Sequence, residues 1–243
     1  MSNTMTKRFA FLQDFWADIV SIIYPRLCLA CDAPLGKAEK HLCLPCQADL
    51  PETNFHLIPY NNTFTERFYA RVPIQSAAAY YWFAQRSRVQ QIIHQIKYHD
   101  QPDAATEIGR MYGYALSQTK PFSEADYLIP VPMHPQKEHL RGYNQAEIFA
   151  QGLSESMNIP LITNNLYKTK MTQSQTKMSK QQRLENTEGV FALRHPMALC
   201  GKKIIIADDV MTSGATLESC CKAILAELPD AEIHLVTIAF TEH

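Results

Sequence analysis

The sequence predicts an α/β fold, a parallel sheet flanked by helices, preceded by a small N-terminal four-cysteine metal module. Three observations carry that reading. The stretch Lys203-Ile204-Ile205-Ile206-Ala207-Asp208-Asp209-Val210-Met211-Thr212-Ser213-Gly214-Ala215-Thr216 runs from apolar, β-branched residues through two adjacent carboxylates into a hydroxyl-rich turn. That is the pattern of a buried parallel strand that opens onto a helix. Tyr127 to His134 is a second apolar strand with a Pro-rich turn, and Arg141-Gly142-Tyr143-Asn144-Gln145-Ala146 leads from it into another helix. Two Cys-x-x-Cys pairs stand near the start.

The chain has 243 residues, 46% of them hydrophobic. That is enough for one large domain and a small module. A formal net charge of −1 provides no global basic field for nucleic acid or a membrane surface, so any nucleic-acid site must be local. No run is long and apolar enough to span a bilayer. In residues 1–24, Phe9, Leu12, Phe15, Trp16, Ile19, Val20 and Ile23 recur at helical spacing and predict an amphipathic helix. Asp14 and Asp18 interrupt what would be the apolar centre of a signal peptide, and no small-residue cleavage site follows. A packed helix in a cytoplasmic protein is expected.

Residues 25–60 form the expected metal module. Cys28-Leu29-Ala30-Cys31 and Cys43-Leu44-Pro45-Cys46 are separated by a short polar loop. Thiolates two residues apart reach one ion because a tight turn points both sulfurs inward, and four of them match a tetrahedral Zn2+ site. Disulfides or ordinary thiols would not need the paired spacing, and a redox Cys-x-x-Cys would need only one pair at a helix start. Four thiolates leave no open coordination position, so the zinc is expected to be structural and to supply folding energy that so short a module lacks. His41 could compete as a ligand, but a fourth cysteine makes it unnecessary. Cys200, Cys220 and Cys221 carry no chemical signal.

Residues 61–243 form the expected main domain. Pro51 to Thr65 is polar and reads as a linker. Ala77 to Phe83 reads as a strand. Arg88 to Tyr98 places Val89, Ile92, Ile93 and Ile96 on one helical face. Pro102 opens a further helix, with Ala105, Ile108, Met111, Tyr112 and Ala115 inward. Lys97, ahead of Tyr98-His99-Asp100, is a lesser ligand candidate. Leu217 to Leu228 is a helix with Leu217, Cys221, Ile224, Leu225 and Leu228 on its apolar stripe, and Ile233 to Phe240 is a strand beside the one that begins at Lys203.

The turn at 212–216 is the main ligand candidate. Backbone N–H groups at a helix start are unpaired and partly positive, so they hold a phosphate. Thr212, Ser213 and Thr216 add hydroxyls, and Gly214 permits close backbone approach. Asp208 and Asp209 would repel phosphate; they suit sugar hydroxyls, or a divalent cation held through water. A ligand with a phosphate beside a ribose fits both halves. The loop lacks the Gly-Lys-Ser/Thr of a Walker A loop and is not Gly-x-Gly-x-x-Gly.

Two further basic features stand out. Arg141 could fork onto phosphate oxygens or simply be a surface arginine. Lys168, Lys170, Lys177, Lys180 and Arg183 lie in a stretch without a carboxylate, rich in Thr, Ser and Gln. It reads as a solvated loop, as a flap over pyrophosphate, or as a strip for a single-stranded backbone.

Asp208-Asp209 with Thr212-Ser213-Gly214-Ala215-Thr216 closely resembles the phosphoribosyl-pyrophosphate (PRPP) motif of type I phosphoribosyltransferases. The four-cysteine knuckle, Ile129-Pro130-Val131-Pro132-Met133-His134, Arg141 to Ala146, Lys170 to Gln175, Arg183 to Phe191 and the PRPP-like loop follow one another in order. Together they resemble the ComF family of bacterial competence proteins along nearly the whole chain. The resemblance implies a type I phosphoribosyltransferase fold with an N-terminal zinc module. It also implies cytoplasmic handling of single-stranded DNA during natural transformation, with other DNA-uptake or DNA-processing proteins as candidate partners.

By the same resemblance the acidic pair holds ribose, residues 212–216 hold the 5′-phosphate, and Arg141 and the basic loop face pyrophosphate or DNA. Mg2+ accompanies PRPP. If the protein is a transferase, Asp208, Asp209 and Arg141 carry the catalysis, which displaces pyrophosphate at the anomeric carbon. In purine-salvage relatives a carboxylate stands where this chain has Thr212, so the loop does not name a nucleobase acceptor. Two alternatives remain: an active phosphoribosyltransferase of nucleotide metabolism, and a non-catalytic PRPP sensor unrelated to DNA.

Overall fold

The computed structural model describes residues 25–98, 101–169 and 190–242. The amphipathic helix expected in residues 1–24 lies outside them, as do Lys170, Lys177, Lys180 and Arg183 of the basic loop. The chain divides into two units, Met1–Leu50 and Pro51–His243.

In the first unit, Cys28, Cys43 and Cys46 are buried and Cys31 is exposed. The second knuckle opens helix α1, Leu44–Asp49, with a proline in its first turn. Glu39 accepts hydrogen bonds from the N–H groups of Gly36 (2.6 Å) and Leu44 (2.7 Å), which joins the intervening loop to the helix start.

The second unit starts earlier than the expected boundary after residue 60, because Pro51 to Thr65 is not a linker. Trp82 and Thr53 exchange backbone hydrogen bonds with Pro51 and Tyr80. Phe55 is buried edge-on against Trp82 and Phe240, with ring centroids 5.1 and 5.5 Å away. Asn62 caps the short helix α2, Thr63–Glu66, accepting from Phe64 and Thr65. Polar composition concealed two buried phenylalanines, Phe55 and Phe64.

The main sheet has four parallel strands in the order β1-β6-β5-β2. These are β1 (Ser76–Phe83), β2 (Tyr127–Pro130), β5 (Lys203–Met211) and β6 (Glu232–Thr241). Strands β3 (Leu166–Lys168) and β4 (Phe191–Leu193) form a separate antiparallel pair. Ile204 to Ala207 and Ile233 to Phe240 are buried throughout, as expected of central strands covered on both faces.

Helix α3 (Arg88–Tyr98) buries the four residues its periodicity predicts, Val89, Ile92, Ile93 and Ile96. Helix α4 (Pro102–Ser117) turns slightly from expectation: Gly109, Gly113 and Leu116 are buried, whereas Met111 and Ala115 are half-buried. The cause is the neighbouring helix. After the short helix α5 (Pro135–Arg141) in the chain comes helix α6 (Gln145–Met157), which packs on α4 backbone to backbone. A Cβ on Gly109 would lie 2.3 Å from the Phe149 carbonyl oxygen, and one on Gly152 would lie 2.0 Å from that of Thr106. Helix α7 (Ala215–Glu227) buries Leu217, Cys220, Cys221 and Ile224 and leaves Leu225 half-buried. Among the described residues, no helix is long and apolar enough to cross a membrane.

The α4–α6 contact makes a test possible. Helix propensity favours Ala over Gly by about 1 kcal/mol, whereas overpacking costs about 1–3 kcal/mol. Because the clash at Gly152 is with backbone, overpacking should win. Gly152→Ala is expected to lower the urea midpoint; a raised midpoint would show that the two helices do not approach this closely.

Candidate functional site

The site is built where β5 leaves the core. The strand is buried from Ile204 to Ala207 and half-buried from Asp208 to Val210. Each carboxylate of the pair accepts the next backbone N–H: Asp208 Oδ1 from Asp209 (2.8 Å) and Asp209 Oδ1 from Val210 (2.6 Å). The other oxygen of Asp209 meets Lys97 Nζ at 2.8 Å. Burial, then the adjacent charge of Asp209, pushes Asp208 up to about 8; the Asp209 N–H, Lys97 and Lys168 pull the other way.

The turn that follows is held from outside. Arg67 Nη1 donates to the Thr212 carbonyl (2.9 Å) and Arg71 Nη1 to that of Ser213 (3.0 Å). Arg71 also pairs with Glu218 of α7. Both guanidinium groups rest on rings, Arg67 over Phe240 at 4.8 Å and Arg71 over Phe68 at 5.6 Å. Gly214 sits at φ +78°, in the left-handed region, and caps α7 with no side-chain cap bond. A Cβ there would come within 3.1 Å of Met211 Cε and 3.2 Å of Phe68, so the tight turn requires glycine. Thr212, Ser213 and Thr216 are exposed and Ala215 half-buried. A helix start whose N-cap is a glycine, with hydroxyls around it and Ser213 Oγ accepting from the Ala215 N–H at 3.4 Å, is an arrangement that can hold an anion.

The second strand–helix loop is placed by the Arg141 to Ala146 motif. Asn144 caps α6 through its Oδ1, which accepts from Ala146 (3.1 Å), while its Nδ2 donates to the Val131 carbonyl at the exit of β2 (3.0 Å). Tyr143 donates its hydroxyl to the Ile96 carbonyl in α3. Arg141 donates to Gln145 Oε1 (3.0 Å) and lies over the Tyr98 ring at 5.6 Å. Most of this motif is therefore structural, and Arg141 is its one cation.

Of the basic-loop candidates, Lys168 is described. It ends β3, half-buried, with Nζ 5.5 Å from the centre of the Phe191 ring. Burial, then the charge of Lys137, lowers its pKa, while Asp208 and Cys220 act in the opposite direction. Lys168 is thus within electrostatic reach of the acidic pair. Sequence reading missed Arg67 and Arg71. They lie next to a segment read as a linker and about 140 residues from the loop they hold, so no local pattern announces them.

The four cysteines also converge. Their sulfurs all lie within 4.8 Å of one another, and those of Cys31 and Cys43 are 3.7 Å apart. Thiolates about 2.3 Å from a tetrahedral zinc stand about 3.8 Å apart, so the cluster fits such an ion. The Cys43 N–H donates to Cys28 Sγ (3.3 Å). Burial works against ionising Cys28, but backbone N–H donors led by Cys43 outweigh it and bring the thiol down to about 7.

The raised Asp208 value has a consequence for stability. The contribution of this group is fully present below its ordinary value of 3.8 and is lost as pH rises towards about 8. Between pH 5 and pH 9 the melting temperature of the protein is expected to fall more steeply than that of Asp208→Asn. Parallel curves would contradict the assigned burial.

Comparison with known proteins places this geometry in context. Residues 141–243 match the sequence model of the phosphoribosyl transferase domain family. The chain is 33% identical over 113 residues to Competence protein F of Haemophilus influenzae, covering 46% of this chain and 49% of that protein. It is 32% identical over 111 residues to Competence protein ComFC of Bacillus subtilis, covering 46% and 43%. It is 26% identical over 137 residues to the DNA utilization protein YhgH of Escherichia coli, covering 55% and 60%. The matched stretch spans about half the length of each of these relatives.

Proposed function

We propose that this chain, which belongs to the ComF family and carries a phosphoribosyl transferase domain, binds PRPP at the end of β5 and serves the handling of single-stranded DNA. The observation that carries the reading is the junction of the half-buried Asp208–Asp209 pair with the exposed hydroxyls and glycine-capped helix start of residues 212–216. The relatives are named for competence and DNA utilization, and those names support the DNA part of the proposal.

In this reading the N–H groups at the start of α7 and the hydroxyls of Thr212, Ser213 and Thr216 take the 5′-phosphate. The two carboxylates accept the ribose hydroxyls. Arg141 and Lys168 approach the pyrophosphate end, where a guanidinium or ammonium stabilises the charge that builds if pyrophosphate leaves. Arg67 and Arg71 hold the loop carbonyls and so preorganise the phosphate cradle. Mg2+ enters with the ligand, since that ion usually takes one or two carboxylates plus substrate phosphates rather than a protein cage. Bound, it neutralises charge on the pyrophosphate. In the N-terminal unit, Cys28, Cys31, Cys43 and Cys46 hold a structural zinc ion. Lys170, Lys177, Lys180 and Arg183 remain the candidates for contact with the DNA backbone, in a cytoplasmic protein.

Calorimetric titration of PRPP with Mg2+, with and without single-stranded DNA, tests the central claim. Binding is expected, and Asp208→Asn combined with Asp209→Asn should reduce affinity at least about tenfold, the loss of more than one charge-assisted hydrogen bond. Undiminished affinity in a folded double variant would refute the role of the pair. Pyrophosphate release that requires DNA would establish turnover.

The metal claim has its own measurement. The purified protein is expected to carry one zinc ion per chain. Stripping it should unfold residues before Leu50 and leave the sheet of the larger unit intact. Unchanged amide exchange in residues 25–50 after complete metal removal would overturn it.

A further inference from the structure

The last turn of α3 makes three contacts with two parts of the site, the 141–146 loop and the acidic pair. The Ile96 carbonyl accepts from Tyr143, the Tyr98 ring lies under Arg141, and Lys97 Nζ meets Asp209 Oδ2 at 2.8 Å. The Lys97 and Asp209 side chains are only 24% and 16% exposed. Surface ion pairs contribute about 0–1 kcal/mol, and pulling such a pair out of water incurs a desolvation cost that often cancels the gain. Stability is therefore a weak reason for this contact. Its position, at the ligand loop, is a better one.

We infer that Lys97 is a positioning residue of this site: it orients Asp209 and balances its charge, so that two adjacent carboxylates can face a polyanionic phosphate ester. The inference rests on the PRPP reading above. A pyrophosphate-bearing ligand brings several negative charges towards the carboxylate of Asp209, and their repulsion must be offset locally. Among the described residues, two lysines act on the acidic pair, Lys97 on both carboxylates. Lys97 contacts Asp209, and Lys168 acts electrostatically on Asp208.

Asp209 is held at both oxygens, by the Val210 N–H on one and by Lys97 on the other. Rotation of the carboxylate away from the ligand is thereby opposed. Because Lys97 sits one residue from Tyr98, the same turn that fixes Asp209 also carries the ring beneath Arg141. Displacing this turn would disturb both loops of the site together.

The test uses the full-length protein and three forms: wild type, Lys97→Met and Lys97→Arg. Each is titrated with Mg-PRPP and, separately, with Mg-pyrophosphate, and each is melted. Lys97→Met leaves Asp209 without its cation and is expected to melt below wild type; where it is folded it should bind PRPP at least about tenfold more weakly, the size of one charge-assisted contact. Lys97→Arg, which keeps the charge, should restore binding to within about threefold by the same scale.

If wild type binds PRPP and Lys97→Met binds equally well, the inference is overturned and the PRPP reading stands. An equal loss in Lys97→Met and Lys97→Arg overturns the charge argument. If Lys97→Met does not fold, Lys97→Arg decides: a folded arginine variant with at least a tenfold loss counts against the inference, and one that binds normally supports it. If wild type ignores PRPP but binds pyrophosphate, and Lys97→Met loses that, the PRPP reading fails while Lys97 keeps its role. Binding of neither ligand by wild type sinks both.

Discussion

Strand β5 is apolar and buried from Ile204 to Ala207, and two adjacent ionisable residues, the half-buried Asp208 and Asp209, follow. That single step from buried to ionisable residues determines where the molecule can hold a ligand. An isolated carboxylate cannot stay charged deep in a sheet at acceptable cost, so the pair marks the depth at which the strand must emerge. Everything nearby answers to this constraint. Backbone N–H groups of Asp209 and Val210 turn onto the carboxylates, Lys97 comes in from α3, and Lys168 from β3.

The two strand–helix loops are held by different means. The turn at 212–216 is braced from outside by Arg67 and Arg71, each resting on an aromatic ring while donating to a loop carbonyl. Stacked, forked guanidinium groups lose little freedom on making such bonds. The loop at 141–146 is braced from within. Its asparagine caps one helix and bonds the exit of β2, and its tyrosine bonds the end of α3. Helix α3 is therefore the common support, since it meets one loop through Ile96 and Tyr98 and the acidic pair through Lys97.

Much of this could be read without coordinates. Long apolar runs, proline helix starts and the regular face of α3 are local signals, because burial on one face imposes a period on the residues themselves. The candidate ligand turn was legible as a feature for the same reason: strand, carboxylates, hydroxyls and glycine are contiguous. What misled was composition. Pro51 to Thr65 is polar on average, yet Phe55 and Phe64 are among the core residues, and a window average cannot show which two side chains will be inside. The rotation of α4 was hidden too, because Gly109 and Gly152 matter only as partners across a helix contact.

The sequence by itself determined the α/β class, the parallel strands β2, β5 and β6, the place of the acidic pair and the hydroxyl-rich turn at the end of β5, and the convergence of four cysteines. Each is written in neighbouring residues, where strand period, helix capping and ligand spacing act over a few positions. Tertiary structure alone decided which cations serve the site. Arg67, Arg71 and Lys97 are more than a hundred residues from the loop they support, and a lysine or arginine in a polar stretch looks the same whether solvated or paired. Only the packing of α3 and of the 62–72 segment against the ends of β5 and β6 distinguishes the two, because charge complementarity operates through space and leaves no period in the chain.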